Sequence, residues 1–183
     1  MLILGVDGGV THIGIAVMRV DDGPPELLES TVMALRFKAQ AESYAASLRP
    51  SLLRLVGGVD RVGAEAMTFF SRRQERVSLH GGAPPPMETF SKIGVVIGCL
   101  TMVAAELGRP YRAMSPQALK AAATGSRVAG KRDMIELVQR LFPGFEDGAG
   151  GHRADAVVAG LACWAPGLLL AARAAPGVRV VEQ

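Results

Sequence analysis

The chain runs to 183 residues, 49% of them apolar and 20% charged, which allows a sizeable core and excludes global disorder. With 20 Lys and Arg against 17 Asp and Glu, the net charge is +3, a balance that admits a nucleic-acid partner without requiring one. Two cysteines, Cys99 and Cys163, stand far apart in apolar surroundings, which excludes a disulfide scaffold and makes a reducing cytoplasm the expected compartment.

Met1-Leu2-Ile3-Leu4 leads straight into Gly5 and Asp7 with no basic n-region or cleavage site, so no signal peptide is expected. Leu2 to Val6 is an apolar run of strand length, and Gly8-Gly9 supplies the turn after it. His12 to Val20 reads as a second strand, with Gly14 and Ala16 small enough for something to pack closely. Asp21 to Pro25 is a turn by composition and Leu27 to Leu35 a third strand, so two antiparallel hairpins open the sheet. Ala39 to Val56 carries helical periodicity and stops at Gly57-Gly58. Arg61 to Ala66 returns as a strand, parallel to the first if the helix crosses over.

Ser71 to Pro86, with Arg72, Arg73, Arg76 and three consecutive prolines, is expected to be a mobile basic loop. Glu88 to Leu107 is a long, largely apolar helix, Pro110 to Ala113 a short strand, and Ser115-Pro116 an N-cap opening a helix to Ala123. Lys131 to Leu141 is a helix, Pro143 to Gly151 a Gly-rich loop, and His152 to Cys163 opens the last long helix. The tail from 176 to 183 either adds a strand over Val178–Val181 or frays. Ile93–Ala105 is too short to span a bilayer, and Ala154–Ala172 carries Asp155 and is broken by Pro166-Gly167, so no membrane contact is expected. The whole is read as one domain over 1–183, an α/β mixed sheet flanked by helices on both faces.

Four side chains carry the chemical signal. Asp7 is set in a strand otherwise made of Leu, Ile and Val, where a carboxylate loses solvation unless a cation, a donor or a cleft meets it. Glu65 repeats the pattern in Val62-Gly63-Ala64. Parallel neighbouring strands would bring the two carboxylates to one sheet edge, where each hinders ionisation of the other unless a hard divalent cation lies between them. His152 and Asp155, spaced i and i+3, share one face at the start of a helix. A turn-capping Asp, a helix-dipole Asp and a structural His are the plainer readings of each alone. Together, four candidate ligands from three separated segments suit two-metal phosphodiester hydrolysis.

Ile3-Leu4-Gly5-Val6-Asp7-Gly8-Gly9 with Thr11 and Gly14 resembles the opening strand of RuvC-type Holliday junction resolvases, which have the ribonuclease-H-like fold. Glu65 in its Val-Gly-Ala-Glu strand is similar to the family's second acidic residue. Ser115-Pro116-Gln117-Ala118-Leu119-Lys120, then Thr124-Gly125 and Lys131, is similar to its Ser-Pro-x-x-x-Lys…Gly…Lys segment. His152-x-x-Asp155-Ala156 resembles its closing motif. The blocks occur in order and span residues 3 to about 163.

The resemblance implies a homodimeric, Mg²⁺-dependent endonuclease with two ions per site, acting on four-way or branched DNA, with a branch-migration helicase as a candidate partner. It casts Asp7, Glu65, His152 and Asp155 as metal ligands and catalytic residues, and Lys120 and Lys131 as phosphate contacts. In-line attack by water would leave 5′-phosphate and 3′-hydroxyl ends. Departures are visible: Asp7-Gly8-Gly9 replaces Asp-Pro-Gly, and Thr68 stands where an aromatic is usual, with Phe69 and Phe70 just after it as candidate base-stacking residues. The loop from Ser71 is longer than usual, which leaves a relaxed branched-DNA nuclease as an alternative. His152 replaces a more frequent Asp and favours Mn²⁺ in relative terms. Further alternatives are a sugar-kinase-like or actin-like phosphotransfer domain, whose opening turn is similar, and a non-catalytic junction-binding protein.

Overall fold

The strands are built on alternation, and that alternation decides which side chains meet which layer. In the computed structural model, which describes residues 1–9, 11–35, 41–66, 87–148 and 150–174, five strands form one sheet. β1 (Leu2–Gly8), β2 (His12–Arg19) and β3 (Glu26–Ala34) pair antiparallel. β4 (Arg61–Glu65) lies parallel to β1, and β5 (Tyr111–Met114) parallel to β4. The order across the sheet is β3-β2-β1-β4-β5. The expected antiparallel opening and parallel return are both present.

Six helices are described: α1 (Ala41–Gly57), α2 (Met87–Glu106), α3 (Pro116–Thr124), α4 (Lys131–Leu141), α5 (His152–Trp164) and α6 (Pro166–Ala174). They cover both faces. Leu4 and Val6 of β1, Ile13 and Ile15 of β2, and Val62 and Ala64 of β4 bury themselves against Leu48, Leu52 and Val56 of α1 and Val96, Leu100 and Val103 of α2. On the other face, Ile3, Ala16 and Met18 join Leu119 of α3, Leu137 and Val138 of α4, Val157 and Leu161 of α5, and Leu169 of α6. Because successive strand residues point to opposite faces, Gly5 and Asp7 belong to the α5 face with Ile3, and Gly63 and Glu65 belong there with Arg61.

One local reading is corrected by the structure: β1 does not stop at Val6, since Asp7 and Gly8 continue the ladder, paired with Gly14 and Ile13, so Gly8 belongs to the strand and not to the turn. The break expected at Pro166-Gly167 is present, α5 and α6 being bent by 113° with Pro166 opening the second. No single described helix is long and apolar enough to cross a membrane. Ser115 caps α3 as expected, its Oγ accepting from Ala118 N–H at 3.2 Å, with Pro116 in the first helical position. The basic loop of residues 71–86 and the tail of 176–183 lie outside the described residues.

Candidate active site

The site begins with the register of two parallel strands. Val6 of β1 is paired with Ala64 of β4, so Asp7 and Glu65 follow at the same edge of the sheet and on the same face. The third component, α5, arrives over that edge N-terminus first because glycines let it in. A Cβ on Gly5 would stand 1.9 Å from the Ala156 carbonyl oxygen, and one on Gly14 would stand 2.0 Å from that of His152. Gly63 leaves the same room for Ala159. Any larger residue at these positions would push the helix away from the carboxylates. His152 and Asp155 are therefore delivered by the first turn of a helix lying tightly on β1, β2 and β4.

His152 Nδ1 lies 2.7 Å from Asp7 Oδ2, and the two share a hydrogen bond. Asp7 is buried, at 7% exposure, and burial raises its pKa even though His152 and Lys131 act in the opposite direction. Glu65 is pushed up to about 8, first by burial and then by the charges of Asp7 and Asp155, with Lys120 and Lys131 opposing. Asp155 is pushed up to about 6, by burial and then by Asp7, against Lys131 and His152. The expected hindrance of Glu65 by Asp7 is present, and Asp155 adds to it, while Asp7 itself is raised by burial.

Six of the side chains singled out in the sequence thus act on one another: Asp7, Glu65, His152, Asp155, Lys120 of α3 and Lys131 of α4. Lys131 is also anchored, its Nζ donating to the Gly150 carbonyl oxygen. Phe69, Phe70, Arg72, Arg73 and Arg76 lie outside the described residues.

Three carboxylates whose pKa values are all raised by burial, with Asp7 raising those of Glu65 and Asp155 further, form beside an imidazole a donor set suited to hard divalent cations: oxygen ligands and one nitrogen. Among the described residues, no three His, Cys, Asp or Glu side chains are already drawn round one point, and one Asp7 oxygen is engaged by His152 instead. The fit is one of chemistry and placement.

Two neighbours had no signal in the spacing of motifs. His12 at the start of β2 stacks on His152, ring centroids 6.0 Å apart and planes inclined by 23°, with Thr11 Oγ1 at 2.9 Å from its Nδ1. Asp147, buried in the Gly-rich loop, accepts from the backbone N–H groups of Gly151 and Ala154 at the start of α5. The only hint of Asp147 in the sequence is negative: Gly151, just before His152, has no side chain with which to cap a helix.

No family model matches the chain. The crossover junction endodeoxyribonuclease RuvC of Gloeobacter violaceus is 30% identical over 178 residues, spanning 96% of this chain and 94% of the relative. The protein of the same name from Corynebacterium efficiens is 28% identical over 176 residues, spanning 93% and 72%. Among solved structures, Thermus thermophilus RuvC in complex with Holliday junction substrate matches with a TM-score of 0.70 at 25% identity, over 88% of this chain and 92% of that one.

Proposed function

The chain belongs to the RuvC family of crossover junction endodeoxyribonucleases, and on that footing we propose that its residues 1–183 form one nuclease domain that resolves four-way DNA junctions at the edge built by Asp7, Glu65, His152 and Asp155. The observation that carries the site assignment is the burial of mutually repelling carboxylates beside His152, at the meeting of two parallel strands and a helix N-terminus. Such a cluster is unfavourable for an apo fold and favourable for an enzyme that handles phosphate through cations. Membership of this family sets aside the sugar-kinase-like and actin-like readings.

In this proposal Asp7, Glu65, Asp155 and His152 hold divalent ions, two per site, with Mg²⁺ or Mn²⁺ as the working metal. When bound, such ions lower the pKa of the attacking water and neutralise charge building on the phosphate. The chain's own groups do the rest. His152 holds one oxygen of Asp7 by a hydrogen bond and so fixes the direction of the other. Lys131, tethered to the Gly150 carbonyl, and Lys120 keep positive charge beside the carboxylates, where a DNA phosphate would otherwise be repelled. Hydrolysis leaves 5′-phosphate and 3′-hydroxyl ends. Phe69, Phe70, Arg72, Arg73 and Arg76 are proposed as further DNA contacts.

A homodimer, with two such edges for two cuts, is also proposed. Its support is the side of α2 on which Met102 is 73% exposed and Val95 and Cys99 are only part-buried. A branch-migration helicase as partner rests on the resemblance alone. The test is incubation of the purified chain with labelled four-way junctions, Y-forks and flaps in Mg²⁺ or Mn²⁺. Paired nicks across the junction support resolution, equal cutting of all substrates would replace it with a relaxed branched-DNA nuclease, and binding without cutting would overturn catalysis.

A further inference from the structure

The helix that brings His152 and Asp155 to the site cannot cap its own N-terminus. Gly151, in the capping position, has φ +93°, and a Cβ there would stand 2.9 Å from Lys131 Cδ. That position therefore refuses the Ser, Thr or Asp side chains that usually close a helix. Ala154, three residues on, is fully buried and has no carboxylate to reach back with. Both halves of the usual reciprocal cap are missing.

One side chain from outside the helix does the work of both. Gly151 N–H donates to Asp147 Oδ2 at 2.5 Å, and Ala154 N–H donates to Asp147 Oδ1 at 2.9 Å. Asp147 is itself buried, at 7% exposure, and its backbone carbonyl accepts from Arg153 Nη1 at 3.4 Å. The Arg153 guanidinium also donates to Ser30 Oγ on β3, so the first turn of α5 is tied to the sheet as well as to the loop. A fourth carboxylate near three crowded ones is electrostatically unfavourable, and its charge works against ionisation of Asp155. Its hydrogen bonds, not its charge, account for its place.

We infer that Asp147 is a positioning residue of the nuclease site: its carboxylate fixes the height and rotation of the first turn of α5 and so sets His152 and Asp155 against Asp7 and Glu65. The inference rests on the reading of that edge as the cleavage site. The body of α5 is held by core burial, Ala154 and every residue from Ala156 to Cys163 being buried, whereas the N–H groups of the first turn have no partner within the helix and, left uncapped, are where helices fray. His152 and Asp155 both belong to that turn. Without the cap the two would remain present but would no longer be held together in one geometry, and loss of such outer support typically costs ~10–100-fold in ion affinity or activity.

The experiment compares the wild-type chain with Asp147→Ala and Asp147→Asn, the second keeping one oxygen acceptor of two. Four quantities are read: kcat at saturating Mg²⁺, the Mg²⁺ concentration for half-maximal cutting, junction binding in EDTA, and the rise in Tm that Mg²⁺ produces without DNA. For Asp147→Ala we expect a fall of ~10-fold or more in kcat, a raised Mg²⁺ midpoint and a smaller Mg²⁺-induced rise in Tm. Junction binding in EDTA should stay within about twofold of wild type, because that term comes from phosphate contacts elsewhere. Asp147→Asn should fall between the two, and it carries the test alone if the alanine variant does not fold. Variants that lose Tm but keep kcat, the Mg²⁺ midpoint and the Mg²⁺-induced shift would overturn the inference, leaving Asp147 a stabilising cap and nothing more. Absence of cutting by the wild-type chain would overturn the nuclease reading instead, and the Mg²⁺-induced Tm shift would still decide whether Asp147 orders the ion-binding groups.

Discussion

The two ends of α5, ~18 Å apart by helix rise, meet the same strand in opposite ways. At the C-terminal end, Arg61 of β4 and Arg112 of β5 both lie over the Trp164 ring, at 4.7 and 4.3 Å from its centroid, and Arg112 Nη1 donates to the Cys163 carbonyl at 3.1 Å. Cations at a helix C-terminus, over an aromatic face, are favourable on both counts. At the N-terminal end the helix meets Asp7 and Glu65, anions that its dipole favours, but there are too many of them and they are buried. One end has settled its charges within the fold. The other keeps buried carboxylates whose crowding is relieved by proton uptake or by an outside cation, and that difference separates a structural contact from a site.

The largest effects should come from removing charge at the N-terminal end. Asp7→Asn is expected to lower junction cutting by roughly 10³-fold or more, on the scale of losing a principal transition-state contact, while circular dichroism and junction binding stay at wild-type levels. Unfolding together with loss of binding would make Asp7 structural and break the contrast between the ends. Glu65→Gln should also abolish cutting, yet raise the Tm of the metal-free chain above pH 8, because it removes a buried charge that Asp7 and Asp155 repel. In a chain of this size each kcal/mol moves Tm by roughly 2–4 °C, so a rise of several degrees is within reach of calorimetry.

Next in size is the response to pH. Glu65 has a folded-state pKa of about 8 against an ordinary 4.5, and Asp155 about 6 against 3.8. Both are raised, so the folded chain binds more protons than the unfolded chain between those values. Their contribution to stability is therefore complete below the ordinary values and is lost as pH rises through the folded ones. The metal-free chain should lose Tm progressively from about pH 4 to pH 8, and Mg²⁺ should restore most of the loss at pH 8 while doing little at pH 5. A metal-free Tm that climbs over that window would contradict the crowding of carboxylates.

How much of this was readable beforehand differs between the same two ends. The strands and helices were legible because their apolar periods are plain, and the carboxylates because Asp7 and Glu65 interrupt apolar strands. Less visible was why those carboxylates matter to α5. Gly5-Val6-Asp7 and Gly63-Ala64-Glu65 share a pattern, a glycine that admits the helix two residues before an acid on the same face, and its meaning depends on what packs there. β1 read short because the apolar run ends at Val6, whereas the ladder continues where Gly14 leaves room opposite Asp7. Asp147 could not be found by spacing, since its role exists only once Gly151 adopts a positive φ and Lys131 fills the space beside it. Trp164 with Arg61 and Arg112 was equally hidden, being assembled from three elements.

A smaller effect tests the settled end directly. Trp164→Ala removes the ring shared by Arg61 and Arg112 and leaves the N-terminal turn untouched. Since Trp164 is only part-buried, the expected cost lies below the ~3–5 kcal/mol of a fully buried tryptophan, and kcat per folded molecule should not change. A fall in kcat with little loss of Tm would show that the two ends are coupled through the helix.

The smallest effect concerns the choice of ion. The proposed donor set at the N-terminal end is mixed, with three carboxylates and the imidazole of His152, and nitrogen suits Mn²⁺ better than Mg²⁺ in relative terms. Cutting in Mn²⁺ is therefore expected to be at least as fast as in Mg²⁺, with a ratio of a few-fold rather than orders of magnitude, because oxygen ligands dominate. His152→Asp sharpens the comparison: it replaces nitrogen by oxygen, adds a negative charge and removes the hydrogen bond that holds Asp7. Loss of that bond should slow both reactions, so the informative quantity is the ratio of the two rates in each protein, which cancels the common loss. A shift of the ratio toward Mg²⁺ in the variant would place the imidazole on the ion, whereas an unchanged ratio would confine His152 to orienting Asp7.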